Sequence, residues 1–85
     1  MGIYWSDDAW QDYRYWQDQG DKKKIRKINA LIKDIARHPF SGQGKPEPLK
    51  HELTGKWSRR ITGEHRLIYR IEDDTLYLYS ARDHY

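Results

Sequence analysis

Eighty-five residues with a formal net charge of +3 leave room for one small domain, residues 1–85, whose modest hydrophobic content (36%) is supplemented by aromatic rings (14%) that each bury a large area. The absence of cysteine excludes disulfides and thiolate metal centres and fits a reducing compartment. No apolar run approaches membrane length, and the start, MGIYWSDD, lacks the features of a signal peptide, so a cytoplasmic chain without a membrane partner is expected.

Ile3 to Trp5 reads as a short strand that gives way at Ser6, a good helix N-cap, with Asp7 and Asp8 at the positive end of the helix that follows. Ala9, Tyr13 and Trp16 recur at helical spacing, and Gly20 ends the run. Asp21 can cap a second helix in which Ile25, Ile28, Leu31, Ile32 and Ile35 form an apolar stripe. His38-Pro39 stops that helix. A connection this short predicts an antiparallel helical hairpin. Phe40 to Lys56 has no periodicity, three glycines and two prolines, with Leu49 and Leu53 as candidate anchors. Irregular connections of that length tend to be functional.

Trp57 to Arg70 reads as two strands joined by a tight turn at Gly63. Alternation puts Trp57 and Ile61 on one face and Ser58, Arg60 and Thr62 on the other. On the next strand Leu67, Tyr69 and Ile71 oppose Arg66, Ile68 and Arg70. Asp73-Asp74 marks another turn. The last strand, Thr75 to Arg82, sets Leu76, Leu78 and Ser80 against Tyr77, Tyr79 and Ala81. The order β-α-α-β-β-β predicts an α+β fold with two helices on one face of a twisted antiparallel sheet.

Three features could carry chemistry. Glu47 lies between Pro46 and Pro48, so its backbone is restricted and its carboxylate aimed, although spacing alone more often describes a surface glutamate in a proline-rich turn. Lys45 and Lys50 flank it and on the same grounds read as solvated loop lysines. Arg60 and Arg66 share the polar face of adjacent strands and can converge on one phosphate, or simply coat an exposed sheet. His84 and Tyr85 end the chain. Terminal residues fray, yet a strand running almost to the end would tie them down, and Asp83 with the terminal carboxylate would favour the protonated imidazole. No cluster has metal-ligand spacing, and Gly42-Gln43-Gly44-Lys45 lacks the phosphate-loop pattern. His38, His51 and His65 have weaker claims, the last falling on the hairpin's apolar side.

The run GKPEPLKHELTGKWSRRITGEHRLIYR, Gly44 to Arg70, with a terminal His84-Tyr85, resembles the YoeB-type toxins of the RelE/ParE superfamily, as do WSDDAW, the YWQ at Tyr15 to Gln17, and KINALIKDI from Lys27 to Ile35. The resemblance covers essentially the whole chain. It implies a microbial-ribonuclease-like α+β fold and the toxin half of a bacterial type II toxin–antitoxin pair, an endoribonuclease that cuts mRNA in the ribosomal decoding site. By the same resemblance Glu47 is the general base, Arg66 stabilises the phosphate and His84 is the general acid, with Lys50, Arg60 and Tyr85 contacting phosphate or base. No metal or cofactor is implied. The expected partners are a YefM-like antitoxin with an acidic C-terminal segment, the bacterial ribosome with its mRNA, and a second copy of the chain. Lys22, Lys23, Lys24 and Lys27 are expected to attract ribosomal RNA. A non-catalytic inhibitor, as in the gyrase-poisoning branch of the superfamily, would need neither the aimed Glu47 nor the terminal His–Tyr pair. A free RNA-binding domain is the third reading.

Overall fold

The computed structural model describes residues 1–83; His84 and Tyr85 lie outside the described residues. Strand β1 (Gly2–Trp5) leads into helix α1 (Asp7–Asp18), then α2 (Lys22–Arg37), and the expected β-α-α-β-β-β order holds with one addition. A two-residue strand, β2 (Glu47–Pro48), forms inside the long connection and is followed by a 3₁₀ turn at His51–Leu53. Strands β3 (Trp57–Arg60), β4 (Arg66–Glu72) and β5 (Thr75–Ser80) complete a five-stranded sheet in the order β1-β5-β4-β3-β2.

The helices begin where side chains can satisfy their free amides. Ser6 Oγ accepts from the Ala9 N–H at 3.1 Å, and Asp21 Oδ1 accepts from the Lys24 N–H at 3.1 Å. Ala9 and Trp16 of α1 and Ile28, Leu31 and Ile35 of α2 are buried against Leu67, Tyr69, Leu76 and Leu78 of the sheet. That is the apolar layer expected from the 3.6- and 2-residue periods. Asp73 and Asp74 both take positive φ, 50° and 56°, the geometry of a two-residue hairpin turn between right-twisted strands.

Three findings differ from the sequence reading. The sheet is mixed, because β1 runs parallel to β5, pairing Ile3 with Leu76 and Trp5 with Leu78. Alternation cannot distinguish the two directions, since it places the same side chains on the same face in either. The last strand carries an irregularity: Ile68 pairs with Ser80 but Tyr69 with Leu78, so Tyr79 is an extra residue. Such a bulge flips the parity beyond it, and Ala81 is buried in the helix-facing core. Finally, the β3–β4 connection spans residues 61–65 and is closed by N–H donation from Ile61 (2.9 Å) and Thr62 (3.2 Å) to the His65 carbonyl.

A residue that the sequence reading did not single out, Arg59, is fully buried. Alternation puts it on the apolar face with Trp57 and Ile61, where an unpaired guanidinium would be very costly. Its Nη1 donates to Asp34 Oδ2 (2.6 Å) and the Gln43 carbonyl (3.2 Å), its Nε to the Tyr69 hydroxyl (3.1 Å), and its Nη2 to the carbonyls of Ser41 (2.7 Å) and His38. Tyr69 in turn donates to the Pro39 carbonyl at 2.7 Å, and Asp34 also accepts from the Gln43 amide at 2.9 Å. The chain from His38 to Gly44 is thus wrapped around one cation. Two glycines let it come so close: a β-carbon on Gly42 (φ 109°) would lie 2.2 Å from Asp34 Oδ2, and one on Gly44 (φ 78°) 3.1 Å from the Arg60 carbonyl.

Arg59→Met should therefore lower unfolding free energy by about 3–5 kcal/mol, read from denaturant midpoints at constant slope. Arg60→Met, exposed next to it, should leave the midpoint near the parent's; equal effects would remove the buried cluster as the source.

Candidate functional site

The Arg59 cluster sets where the second half of the connection begins. The Gly44 carbonyl accepts from the Arg60 N–H at 2.6 Å, which lays the following residues along the edge of β3. There β2 pairs antiparallel with β3, Glu47 opposite Ser58 and Pro48 opposite Trp57. Leu49 is buried, and its N–H donates to the Lys56 carbonyl at 2.9 Å. Leu49 and Ile68 are buried but stand apart from the main core, so the loop fastens to the sheet face away from the helices. Leu53 is only half-buried.

Register then decides which side chains share that face. Cross-strand partners project to the same side. Ser58 pairs with Glu47 on one flank and Ile68 on the other, and Arg60 pairs directly with Arg66. Glu47, Arg60 and Arg66 therefore point away from the helices together. Two strand steps of ~4.8 Å and two residues of ~3.4 Å put the α-carbons of Glu47 and Arg66 about 12 Å apart, a gap that a glutamate and an arginine can close around one phosphate. Arg60 and Glu47 are exposed and Arg66 half-buried. Glu47 and Lys50 line one cleft of about 430 Å³ with His51 and Glu52.

Arg66 is held rather than free. Its Nη1 donates to the carbonyls of Thr62 (2.9 Å), Gly63 (3.0 Å) and His65 (3.3 Å), anchoring one corner of the guanidinium in the β3–β4 turn. The Thr62 hydroxyl accepts from the Glu64 and His65 amides, both at 3.1 Å, and fixes that turn. Lys23, Lys24 and Lys27 border a cleft of about 350 Å³ that ends at Ile61 and Thr62, so the basic start of α2 adjoins the turn that holds Arg66. Within it Lys24 is committed, its Nζ 2.7 Å from Asp21 and 4.8 Å from the Trp16 ring. Lys22 and Lys23 are exposed.

The tail as far as Asp83 is drawn to the same place. Trp16 Nε1 donates to the Ala81 carbonyl (2.8 Å), and the Ala81 N–H donates to Asp12 (2.9 Å). The Arg82 guanidinium lies 3.8 Å over the Tyr15 ring. The Asp83 N–H donates to His65 Nδ1 at 2.8 Å, and its carbonyl accepts from the Arg66 N–H at 3.1 Å. His65 is thus a structural acceptor, its ring edge against Trp16 at 4.8 Å. The tail to Asp83 runs beside Arg66; the expectations for His84 and Tyr85 fall outside the described residues. Among the described residues no cluster of three or more His, Asp or Glu could hold a metal, and no helix is long and apolar enough to cross a membrane.

Against this geometry, comparison with known proteins is decisive. A model of the YoeB-like toxins of bacterial type II toxin–antitoxin systems matches residues 5–85. The chain belongs to the YoeB toxin family. It is 58% identical over 85 residues to Toxin YoeB of Escherichia coli K12, covering all of both chains. Its fold matches a YoeB/ParE toxin from Agrobacterium tumefaciens with a TM-score of 0.95 at 46% identity over the whole of both chains. A Staphylococcus aureus YoeB, 48% identical and with 98% of its chain covered, has been solved as a dimer (TM-score 0.91) and in a heterotetrameric YoeB–YefM complex (TM-score 0.90). Membership makes this chain the toxin component of a type II toxin–antitoxin system.

Two helix acids that hold these segments are pushed in opposite directions. The Gln43 amide and the Arg59 guanidinium hold the Asp34 carboxyl below the usual aspartate range, whereas burial raises that of Asp12 despite its bond from Ala81. Asp34 thus contributes stability above the unfolded aspartate value, lost as pH falls through its folded value. For Asp12 the sign reverses, and stability is lost as pH rises through its folded value. A carboxyl ¹³C NMR titration should place Asp34 below and Asp12 above 3.8; the opposite order would show that these contacts do not persist in solution.

Proposed function

We propose that this toxin is a ribosome-dependent endoribonuclease that acts in the cytoplasm and cuts mRNA in the decoding site by metal-independent general acid–base chemistry. The observation that carries this reading is the strand register that puts Glu47, Arg60 and Arg66 on one sheet face, with Asp83 hydrogen-bonded to Arg66 and His84 next in the chain. Glu47 takes the proton from the 2′-OH, whose oxygen attacks the adjacent phosphorus. Arg66, oriented by the turn carbonyls, stabilises the charge that gathers on the pentacoordinate phosphate. His84 delivers a proton to the departing 5′-oxygen, leaving a 2′,3′-cyclic phosphate and a free 5′-hydroxyl. Lys50, Arg60 and Tyr85 hold the neighbouring phosphates and bases.

A carboxylate is a weak base at neutral pH, so much of the acceleration has to come from lining up attacking and leaving oxygens. The ribosome supplies that alignment by presenting the codon, and Lys22, Lys23, Lys24 and Lys27 draw the toxin to ribosomal RNA in a salt-sensitive way. The regulating partner is a YefM-like antitoxin, in line with the complex solved for the Staphylococcus aureus relative, and its acidic segment covers the basic face. A homodimer is part of the same proposal. Ile3 and Trp10 are about half exposed at the β1 edge, where Trp10 stacks on Tyr13 and Trp5 meets both edge-on, an apolar patch suited to a second copy.

Ribosomes programmed with a defined message test the chemistry. The parent should cut within the decoding-site codon, and Glu47→Gln, Arg66→Ala and His84→Ala should each slow cleavage by about 10²–10⁴-fold with unchanged circular dichroism. Parent-like cleavage by all three variants would overturn the assignment.

A further inference from the structure

Beyond the catalytic groups, the same sheet face carries a row of side chains that the chemistry above does not use. Arg70 pairs across the strands with Tyr77, and Tyr77 with Tyr4 of β1. On the other side Lys56 precedes Trp57, the partner of Tyr69, so continuing the register sets Lys56 opposite Arg70. The contacts follow that register. The Arg70 guanidinium lies 5.3 Å from the Tyr77 ring and 6.0 Å from that of Tyr79; Lys56 Nζ lies 4.2 Å over Tyr79, and the Tyr4 and Tyr77 rings are 5.7 Å apart. The row therefore runs from two cations, Lys56 just before β3 and Arg70 on β4, to the rings of β5 and β1.

Packing of the main core does not account for this row. Leu76 and Leu78, on the opposite face of β5, supply its contribution to that core, while Tyr4 is 59% exposed. Nor is Arg70 positioned mainly by ion pairing. Its nearest acid, Glu72, is 3.6 Å away and half-exposed, and its Nε has no hydrogen-bond partner among the described residues. The rings set the guanidinium's place. The bulge at Tyr79 turns an extra aromatic toward Lys56 and Arg70. A flat cation–ring surface of this kind suits a nucleobase stacked on tyrosine with its phosphate near a guanidinium.

We propose that Lys56, Arg70, Tyr77, Tyr79 and Tyr4 form a stacking subsite for single-stranded RNA, taking nucleotides that flank the scissile bond. The inference rests on the nuclease reading for its direction. Arg66, Ile68 and Arg70 alternate along one strand on one face, so the row lies about 14 Å from Arg66 at ~3.4 Å per residue. RNA laid along β4 passes from the reacting phosphate onto the rings. Charge and continuity with the candidate site favour RNA over an acidic peptide, whose carboxylates would use the two cations but leave the tyrosine faces idle.

The test uses the full chain and a fluorescein-labelled, fully 2′-O-methylated oligoadenylate, which cannot be cleaved because it lacks the attacking hydroxyl. By anisotropy, Tyr77→Ala, Tyr77→Leu and Arg70→Ala should each weaken binding about tenfold, while Tyr77→Phe stays within about twofold. An abasic oligomer of equal charge should bind the parent and Tyr77→Leu alike. Parent-like affinity of Tyr77→Leu for the oligoadenylate overturns the subsite, as does an equal loss for the abasic oligomer. Unchanged RNA binding with weakened binding of a glutamate-rich peptide would make the row a peptide site instead and also overturns it. The two proposals fail separately. A parent that cuts no message but binds RNA through Tyr77 loses only the nuclease assignment, and one that cuts but ignores Tyr77→Leu loses only the subsite.

Discussion

A single buried cation organises the half of this molecule that bears the site. Arg59 sits on the apolar face of β3 with no exposed surface, and every hydrogen bond its guanidinium makes ends on the chain that wraps it, on Asp34 of α2 or on Tyr69 of β4. Burying a guanidinium is tolerable only when its donors are met. Here they are met by carbonyls of a loop that otherwise has no regular structure. The consequence is directional. With His38 to Gly44 held against α2, Gly44 meets Arg60, β2 pairs with β3, and Glu47 is delivered to the polar face. The prolines on either side of Glu47 stiffen its backbone, but the Arg59 cluster determines where that stiff piece begins.

The sheet then works as a partition. One face joins the helices in the core through Leu67, Tyr69, Leu76 and Leu78. The other collects charge and aromatic rings in three cross-strand rows: Arg60 with Arg66, then Glu47 with Ser58 and Ile68, then Arg70 with Tyr77 and Tyr4. Rigid strands suit a reaction in which a base and a phosphate-binding group must face each other across a small gap. The tail joins this arrangement because α1 grips Ala81 from both sides and His65 and Arg66 take Asp83. Asp12 and Trp16, distant in sequence from any candidate catalytic group, thereby help to position the tail at Ala81.

How much of this could be read from the sequence follows from which interactions are local. The caps Ser6 and Asp21, the apolar stripe of α2 and the Asp73-Asp74 turn depend on near neighbours, and all stand where periodicity and capping rules put them. The parallel pairing of β1, the extra residue at Tyr79 and the pairing of Glu47 with Ser58 are decided by remote partners and leave no periodic trace. Arg59 is an intermediate case. Its alternation with Trp57 and Ile61 puts a charge among apolar neighbours, which signals a buried partner, although nothing local names Asp34. Gly42 and Gly44 carry no phosphate-loop pattern; their role is to let backbone approach Asp34 and Arg60. For the site, the family pattern singled out Glu47, Arg60 and Arg66, and register puts them on one face; it could not foresee the loop carbonyls that hold Arg66.

Whether Arg59 fastens the loop that carries Glu47 is tested most directly by amide hydrogen exchange in the parent and in Asp34→Asn. Loosening the cluster should speed exchange at Gln43, Leu49 and Arg60, whose amides are bonded in and beyond the wrapped loop, while β4 and β5 amides keep their protection. Unchanged exchange at those three positions, or an equal loss throughout the sheet, would contradict it.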